Sequence, residues 1–503
     1  MQLLRGPYEK GQFGTLPDGI KLYTLFKEEV TSATFDVADL RALGKAMMQL
    51  SNRGSSALAG YTYLGQFLAH DMSRLRIEGH NQTVKPFTMD VIRSDVSAVL
   101  DLSSVYDGAG PGSKMRVENS ALMAIGAAQK IDGLLLCGYD LPRDEAGKAF
   151  IGDERNDENL IVAQLHVQFL RLHNFFVEKI GAEQPHLDID ALFLAAKEQV
   201  VLHYQEVILY DFLYEIIHPS VWKAIILDDK SILWKPKPDD PAVLPIEYAA
   251  AAGRFGHAMI RDKYDINRLE DPNIDQLFLM TWSGRFGGNL NRLPAASLID
   301  WLLFFDFPLV TRRADPKRNP SLRISPRVTV DLRSTDLRSE PEETNLATRN
   351  LLRGSQMRLG SGQTVADFVI RHFHGELADC NIPIRQLTMD ELNLNKPGDQ
   401  QNAFKCSPAL CTNTPLWFYL LAESYVTETS EGIGKLGPLG SLIVAESIKG
   451  LLKLDKSSLF YRQRRRADIA PSKKIRSETD RCFLQMSDLI LATNPGLPDP
   501  TML

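Results

Sequence analysis

Hydrophobic residues recur along this chain with the period of an α-helix, in blocks separated by Pro- and Asp-rich stretches. Over Ser56–Arg74 the apolar positions Leu58, Tyr61, Leu64, Phe67 and Leu68 fall on one side of a helical turn, which predicts a helix. Asn159–Ile180 repeats the pattern through Leu160, Ala163, Leu165, Phe169, Leu170 and Phe176 and predicts a long amphipathic helix. Asp188–Ile217 predicts another, with an Asp at its positive dipole end and Pro219 just past its last turn. Tyr248–Ile260, Thr414–Val426 and Leu439–Leu452 complete the helical set. Between them, Leu75–Asp107 holds short β-prone pieces such as Asp90–Arg93, and Lys235–Pro245 reads as a loop. Asp315–Pro341, broken by Pro316, Pro320 and Pro326, has room for a few short strands. No internal repeat, low-complexity tract or long polar linker divides the chain. The expected fold class is mainly α: a single large helical domain with long irregular loops and little β. Residues 51–460 form its main body, 1–50 an N-terminal extension that wraps it and 461–503 a C-terminal extension packed on it.

Composition narrows the functional classes. The chain has 503 residues, 44% hydrophobic and 24% charged, enough for a large core in an ordinary globular protein. A net charge of -6 argues against nonspecific nucleic-acid binding, which needs a basic face. One basic run, Arg462 to Arg466, reads as a solvated face or turn, and the basic stretch Arg462–Arg481 has no assigned role. The five cysteines, Cys137, Cys380, Cys406, Cys411 and Cys482, are odd in number and match no zinc spacing. They leave room for one bridge such as Cys406–Cys411 but not for a disulfide framework. No run of 18 apolar residues suggests an integral membrane segment. The first residues, MQLLRGPYEKGQFGTLPDG, show no signal peptide, so a cytoplasmic location, or export by a signal-independent route, is expected.

Four short clusters carry candidate chemistry. In the first predicted helix Gln66 and His70 are four apart and share a face, while Asp71 points elsewhere. Alone, this reads as a buried His bonded by its Gln. In the second cluster, Gly152-Asp153-Glu154-Arg155-Asn156-Asp157-Glu158-Asn159, Arg155 and Glu158 are three apart, and alone it reads as a charged turn with Asn156 or Asp157 capping the next helix. The third is the Ala-rich Glu247–His257, whose small residues make a smooth wall and whose Gly256 leaves room beside His257. Its ordinary reading is a packed helix with a core His. The fourth, Arg349–Gly354, contains Asn350 and Arg353, and Asn350 reads by itself as a helix cap.

Taken together and in this order, the clusters resemble the animal-type haem peroxidases of the peroxidase–cyclooxygenase superfamily. There a Gln-x-x-x-His-Asp motif supplies the distal His, Gly-Asp-x-Arg-x-x-Glu the distal Arg and a carboxylate, Ala-Ala-x-Arg-Phe-Gly-His the proximal His, and Asn-x-x-Arg-Gly its Asn partner. The segments Leu165-His166 to Arg171-Leu172-His173-Asn174 and Gly437–Glu446 are also similar to the family. The resemblance runs from about Ser56 to Leu454 and implies that 51–460 is a haem peroxidase catalytic domain.

The resemblance implies haem b as cofactor, with His257 as the iron ligand. Asn350 would accept the proximal Nδ1–H through its carbonyl. Arg254 and Arg353 would lie beside the haem. Distal His70 would take a proton from bound hydrogen peroxide and return it to the leaving oxygen, Arg155 would stabilise the developing charge, and Gln66 would bond a distal water or halide. A small reducing donor would then be oxidised through a ferryl intermediate. Glu158 matches one ester-forming position, whereas Ala69 stands at the other and cannot form an ester. Asn159 stands where a few members carry a sulfonium-forming Met. At most one covalent link is expected, and chloride oxidation poorer than that of bromide, iodide, thiocyanate or phenols. The resemblance also implies a Ca²⁺ site of Asp71, Ser97, Val99, Asp101 and Ser103, an all-oxygen set that suits a hard cation.

Other readings compete. Fatty-acid dioxygenases and cyclooxygenases of the superfamily carry a radical-forming Tyr three residues before the proximal His, where this chain has Arg254; Tyr248 lies nine before. An oxidative tailoring enzyme stays within the peroxidase frame. A non-catalytic adhesion or scaffold protein would have no need of His70 and Arg155. A non-haem metal enzyme would use His166 with His173, or His372 with His374. The first two stand two turns apart, roughly 10 Å along a helix, and the second pair would face different sides of one helix. Structural roles suit all four. The physiological donor and the oligomeric state are not readable from the sequence.

Overall fold

In a computed structural model the described residues are 33–48, 54–73, 98–128, 138–237, 242–267, 270–281, 293–307, 318–329, 345–393, 408–428, 433–462 and 482–494, with short pieces at 3–5, 12–15, 21–26, 30, 75–77, 92–94, 240, 469 and 473–474. Helices dominate, and sheet structure is confined to two- and three-stranded ribbons. The fold is thus mainly α, as the hydrophobic periodicity predicts.

The helices that frame the interior are α1 (Val37–Met47), α2 (Ala59–Met72), α3 (Leu160–Glu183), α4 (Ile189–Val207), α5 (Leu346–Gln356), α6 (Gly362–His372), α7 (Leu416–Val426), α8 (Pro438–Leu454) and α9 (Met486–Thr493). Their starts follow from local chemistry. Asp36, Asn159, Asp188 and Ser361 each accept backbone N–H groups of the first turn through their side chains, which satisfies donors a helix cannot bond internally. The start of α8 lacks such a residue. Instead the buried Glu423 of α7 accepts from Leu439 N at 2.9 Å and Gly440 N at 3.1 Å. A Cβ at Gly437 would lie 2.5 Å from Glu423 Cγ, so this carboxylate can approach only because residue 437 is glycine.

Helix α2 is the central rod. It packs on α3, and it also meets the 3-10 segment Ala252–Ala258. A strand, β1 (Gly54–Leu58), leads into it and pairs antiparallel with β2 (Pro320–Leu322). Helix α7 packs on α5, α6, α8 and the same 3-10 segment, and α1 lies against α5. Helix α9 docks on α3; its first turn is tied down by Asp211, which accepts from Met486 N at 2.8 Å and from Tyr61 Oη at 2.9 Å. One continuous hydrophobic core joins these elements.

Several predicted boundaries shift. The helix expected over Ser56–Arg74 is preceded by β1, because Gly54–Leu58 finds β2 as a partner. Asp188–Ile217 is α-helical to Val207, then widens to a π-turn over Ile208–Phe212 and resumes. The piece expected near Asp90–Arg93 is a strand at Ile92–Ser94. Tyr248–Ile260 is not one helix. An α-turn ends at Ala250, Ala251 breaks the run at φ -139 and ψ -76, and a 3-10 segment follows. Cys406 lies outside the described residues. Among the described residues no helix is long and apolar enough to cross a membrane.

Candidate active site

Helix α2 is buried along nearly its whole length; Gly65, Gln66 and Ala69 are its half-buried positions, with Ser73 just beyond. His70 lies beside that stripe and is 7% exposed. Its Nδ1 meets Asn156 Oδ1 at 2.9 Å, and Asn156 Nδ2 meets His166 Nδ1 at 3.1 Å. Asn156 sits in the 3-10 turn Glu154–Asp157, started by Asp153. The buried Arg143 clamps this turn: its two terminal nitrogens donate to Asp157 at 2.8 Å each, and its Nε to Asp140 at 2.9 Å. Neither Asn156 nor Arg143 stood out as a site residue in the sequence, and His166 did so only in a family-like segment and in the competing metal reading. Asn156 instead suggested a helix cap, a role the structure gives to Asn159.

Arg155 comes to the same place with most of its donors already used. Its Nε and one Nη2 hydrogen go to Asp153, the other Nη2 hydrogen to the His70 carbonyl at 2.8 Å, and Nη1 to the Ser73 carbonyl at 2.8 Å. The guanidinium therefore secures the open carbonyl end of α2 and keeps one Nη1 hydrogen in reserve. Its charge still acts on His70. Burial first, and Arg155 second, lower the His70 pKa to about 4, so the imidazole is neutral at pH 7. Gln66 closes the group: Asn159 Nδ2 donates to its Oε1 at 3.2 Å, and its Nε2 points to Glu158 Oε2 at 3.5 Å.

The second histidine sits in the 3-10 segment. A Cβ at Gly253 would lie 2.7 Å from the Tyr248 ring and 2.9 Å from its carbonyl, so the turn between the two short helices closes only with glycine. Gly256 has the opposite character: nothing lies within 4 Å of where its Cβ would point. His257, beside that open space, is half-buried, yet burial first and then Arg254 and Arg349 lower its pKa to about 3. Asn350 on α5 faces His257 Nδ1 at 2.8 Å with its Nδ2, because its Oδ1 is taken at 2.8 Å by Arg254 Nη1. The expected contact exists, but with the amide the other way round: the cation outcompetes the imidazole for the carbonyl. Arg254 also donates to the Ala249 carbonyl, and the Trp417 indole donates to the Arg254 carbonyl at 3.2 Å.

The sequence model of the animal haem peroxidase family matches residues 80–285. Human thyroid peroxidase is 25% identical over 224 residues, 39% of this chain and 24% of that protein. Peroxidase A from Dictyostelium discoideum has a similar structure, with a TM-score of 0.55, 16% identity and coverage of 87% of this chain and 86% of that one. Over residues 80–285 the chain is similar to the animal haem peroxidase family, and it shares the overall fold of peroxidase A. The fatty acid alpha-dioxygenase of Oryza sativa also shares the fold, at TM-score 0.58 and 14% identity, over 93% of this chain and 79% of its own. The chain spans about a quarter of the length of thyroid peroxidase.

The superfamily's haem can be tested against these residues. Among the described residues nothing bonds Nε2 of His70 or of His257, and α2 packs against the 3-10 segment that carries His257. Arg353, five-sixths of a turn from Asn350 on α5, holds a buried Nη1 with no hydrogen-bond partner. The charges acting on Arg254 are those of Arg353 and Arg349, which together with burial lower its pKa to about 9. A buried guanidinium nitrogen without a partner, with the charge of a second guanidinium acting nearby, calls for an anion. A flat group with two carboxylates and a central metal fits this charge and donor set.

The calcium set is partly visible. Asp71 is fully buried, with Oδ1 3.4 Å from Ser103 Oγ, and it accepts from Leu102 N at 3.1 Å and Ser104 N at 3.4 Å. Burial, then repulsion from Asp101, raises its pKa to about 8. The Val99 carbonyl accepts from Asp101 N at 3.0 Å. Ser97 lies outside the described residues. Among those described, no cluster of three or more acidic, His or Cys side chains forms, so any ion here would rely on backbone and hydroxyl oxygens as well. The histidines considered for a non-haem metal are used otherwise. His173 donates from Nε2 to the Ala121 carbonyl at 2.9 Å and accepts from Tyr106 Oη at 3.1 Å. His372 and His374 lie on two different helices, not on one, because Phe373 ends the first.

Proposed function

We propose that this protein is a haem peroxidase that reduces hydrogen peroxide and oxidises small donors: bromide, iodide, thiocyanate or phenols, with chloride a poorer one. The observation that carries the reading is the pair of histidines, His70 buried and His257 half-buried, each held through Nδ1 by an asparagine, each with Nε2 unbonded among the described residues, on two elements that pack together. His257 would bind the iron, Arg254 and Arg353 the haem carboxylates, and Glu158, whose Oε2 lies 3.5 Å from Gln66 Nε2, would form at most one ester. The haem supplies the redox chemistry when bound. The chain's own part is proton handling: neutral His70 accepts a proton from peroxide at Nε2 and hands it to the departing oxygen. Arg155 holds positive charge beside it, and Gln66 offers a polar contact for a water or halide. Asp71, Ser97, Val99, Asp101 and Ser103 would bind Ca²⁺ and fix the end of α2.

The dioxygenase alternative gains no tyrosine at the required place. Arg254 stands three residues before His257, and the Tyr248 hydroxyl is directed at Met72 Sδ, 3.6 Å away. The test is the absorption spectrum of the haem-reconstituted protein before and after hydrogen peroxide, with bromide, chloride, guaiacol and a fatty acid as donors. A haem spectrum that responds to peroxide and returns on adding bromide or guaiacol supports the reading. Oxygen uptake with fatty acid alone, or no haem uptake at all, would overturn it.

A further inference from the structure

We propose that Asn156 is a positioning residue for His70, itself locked by His166, and that this closed relay keeps the His70 proton on Nδ1 and leaves Nε2 bare to receive a proton. The inference rests on the peroxidase reading and deepens it. Asn156 is fully buried, and its side-chain amide is spent on two imidazoles: Oδ1 on His70 Nδ1 at 2.9 Å and Nδ2 on His166 Nδ1 at 3.1 Å. With Oδ1 accepting, His70 must be the Nδ1–H tautomer, so its lone pair is on Nε2. With Nδ2 donating, His166 Nδ1 must be the bare nitrogen of that ring. The relay ends there, because His166 Nε2 is buried with no hydrogen-bond partner. It therefore orients His70 but conducts no proton to solvent. A proton taken up at His70 Nε2 has no exit through Asn156 and stays available for return on the same side.

The relay is held from behind. Asn156 belongs to the turn whose next residue, Asp157, is forked by buried Arg143. His166 is on the second turn of α3, its ring 6.1 Å from that of Phe67 on α2 and steeply tilted to it. Each member of the relay thus comes from a different rigid element, which fixes the imidazole better than a mobile loop would.

The first measurement needs neither haem nor a variant. In 15N-histidine-labelled haem-free protein, two-bond 1H–15N correlations assign the tautomer of each ring, with His70 identified by its loss in His70→Gln. The expected result is Nδ1–H for His70 and Nε2–H for His166. Nε2–H at His70 means the Asn156 amide runs the other way and overturns the proposal. In Asn156→Ala the His70 signals should become a mixture of tautomers. The haem-loaded variant should lose about a hundredfold in kcat for peroxide consumption with KM changed less than threefold. Asn156→Asp keeps an acceptor for His70 and should restore the Nδ1–H tautomer and at least tenfold of the rate. A change in stability alone, with tautomer and kcat intact in Asn156→Ala, would overturn the positioning role. Should Asn156→Ala not fold, the wild-type tautomers and His166→Phe, expected to lower kcat about tenfold, decide the matter. Wild-type protein that binds haem yet consumes no peroxide would sink the peroxidase reading, while the tautomer result would still stand or fall separately.

Discussion

The two histidine sites are built from the same parts and differ in how the asparagine is held. On one side Asn156 lies between two neutral imidazoles and turns Oδ1 to His70. On the other, Asn350 lies between His257 and a guanidinium, and Arg254 takes Oδ1, leaving Nδ2 for His257. With Nδ1 accepting, His257 carries its proton on Nε2, the nitrogen an iron would need bare. The scaffolds differ in the same sense. The His70 side is anchored by a buried ion pair, Arg143 with Asp140 and Asp157. The His257 side is anchored by buried carboxylates that accept backbone N–H groups: Glu247 from Leu25 N at 3.1 Å, Glu423 at the start of α8, and Glu446 from Trp234 N at 2.5 Å. On the proposed reading, one side is set in advance for proton transfer. The other is set for a ligand that brings negative charge and draws Arg254 away from Asn350.

The largest effects should separate the two sides outright. His257→Ala should lose stable haem binding, read as a Soret band that washes out on gel filtration. His70→Ala should keep the haem and lose about 10³-fold in the rate of reaction with peroxide, followed by stopped flow. If His70→Ala reacts as fast as wild type, the functional division between the sides collapses. Next comes the anchor. Arg143→Leu leaves Asp140 and Asp157 buried without their cation and should cost about 3–5 kcal/mol in urea unfolding, with loss of peroxide reactivity before loss of fold. A cost below about 1 kcal/mol would mean that the ion pair is not what holds the Asn156 turn.

Much of this was legible in the sequence, for identifiable reasons. Helices α2 and α3 follow from apolar spacing, since each packs a continuous hydrophobic stripe. Gln66, His70 and Asp71 could be placed because their directions on a helix are fixed by period alone. The break at Ala251 was not legible. Five small residues in a row favour a helix, and the turn is permitted because Gly253 has no Cβ to meet the Tyr248 ring. Asn156 was hidden because its partners lie 86 and 10 residues away in different directions, and no local spacing announces them. Arg155 was visible as a cation near His70, but its use in closing the end of α2 depends on carbonyls that carry no residue identity. The orientation of Asn350 needed the knowledge that Arg254 competes for the same oxygen.

That competition gives a finer test. Arg254→Met removes the cation that holds Asn350 Oδ1 and leaves the amide able to turn. In haem-free protein His257 should shift from Nε2–H toward Nδ1–H, visible in the same 15N correlations. Haem affinity then moves in one of two ways. A lost contact to a haem carboxylate should weaken binding, and released Asn350 should strengthen it; the first dominates, with a net loss of about tenfold. An unchanged His257 tautomer would show that Arg254 does not set the amide.

The smallest expected effect is one of pH on the anchors. Burial raises Glu247 from an ordinary 4.5 to about 7, against the pull of its bonds from Thr24 and Leu25. Glu423 and Glu446 rise to about 7 for the same cause. A carboxyl whose folded pKa exceeds its unfolded one binds more protons when folded. Its contribution to stability is fully present below about 4.5 and is lost as pH rises through about 7. The Arg143 anchor behaves differently, since Arg143 stays charged throughout that range. Haem-free protein should therefore lose stability between pH 5 and pH 8, with α7, α8 and the 3-10 segment loosening before the Arg143-anchored turn. Hydrogen exchange at the two pH values reads the order directly. Glu247→Gln, which cannot ionise but can still accept from Leu25, should flatten the slope by about one carboxyl's share. Equal loosening of both sides would mean that the carboxylates are not the pH-sensitive part, and the contrast between the anchors would then rest on the asparagines alone.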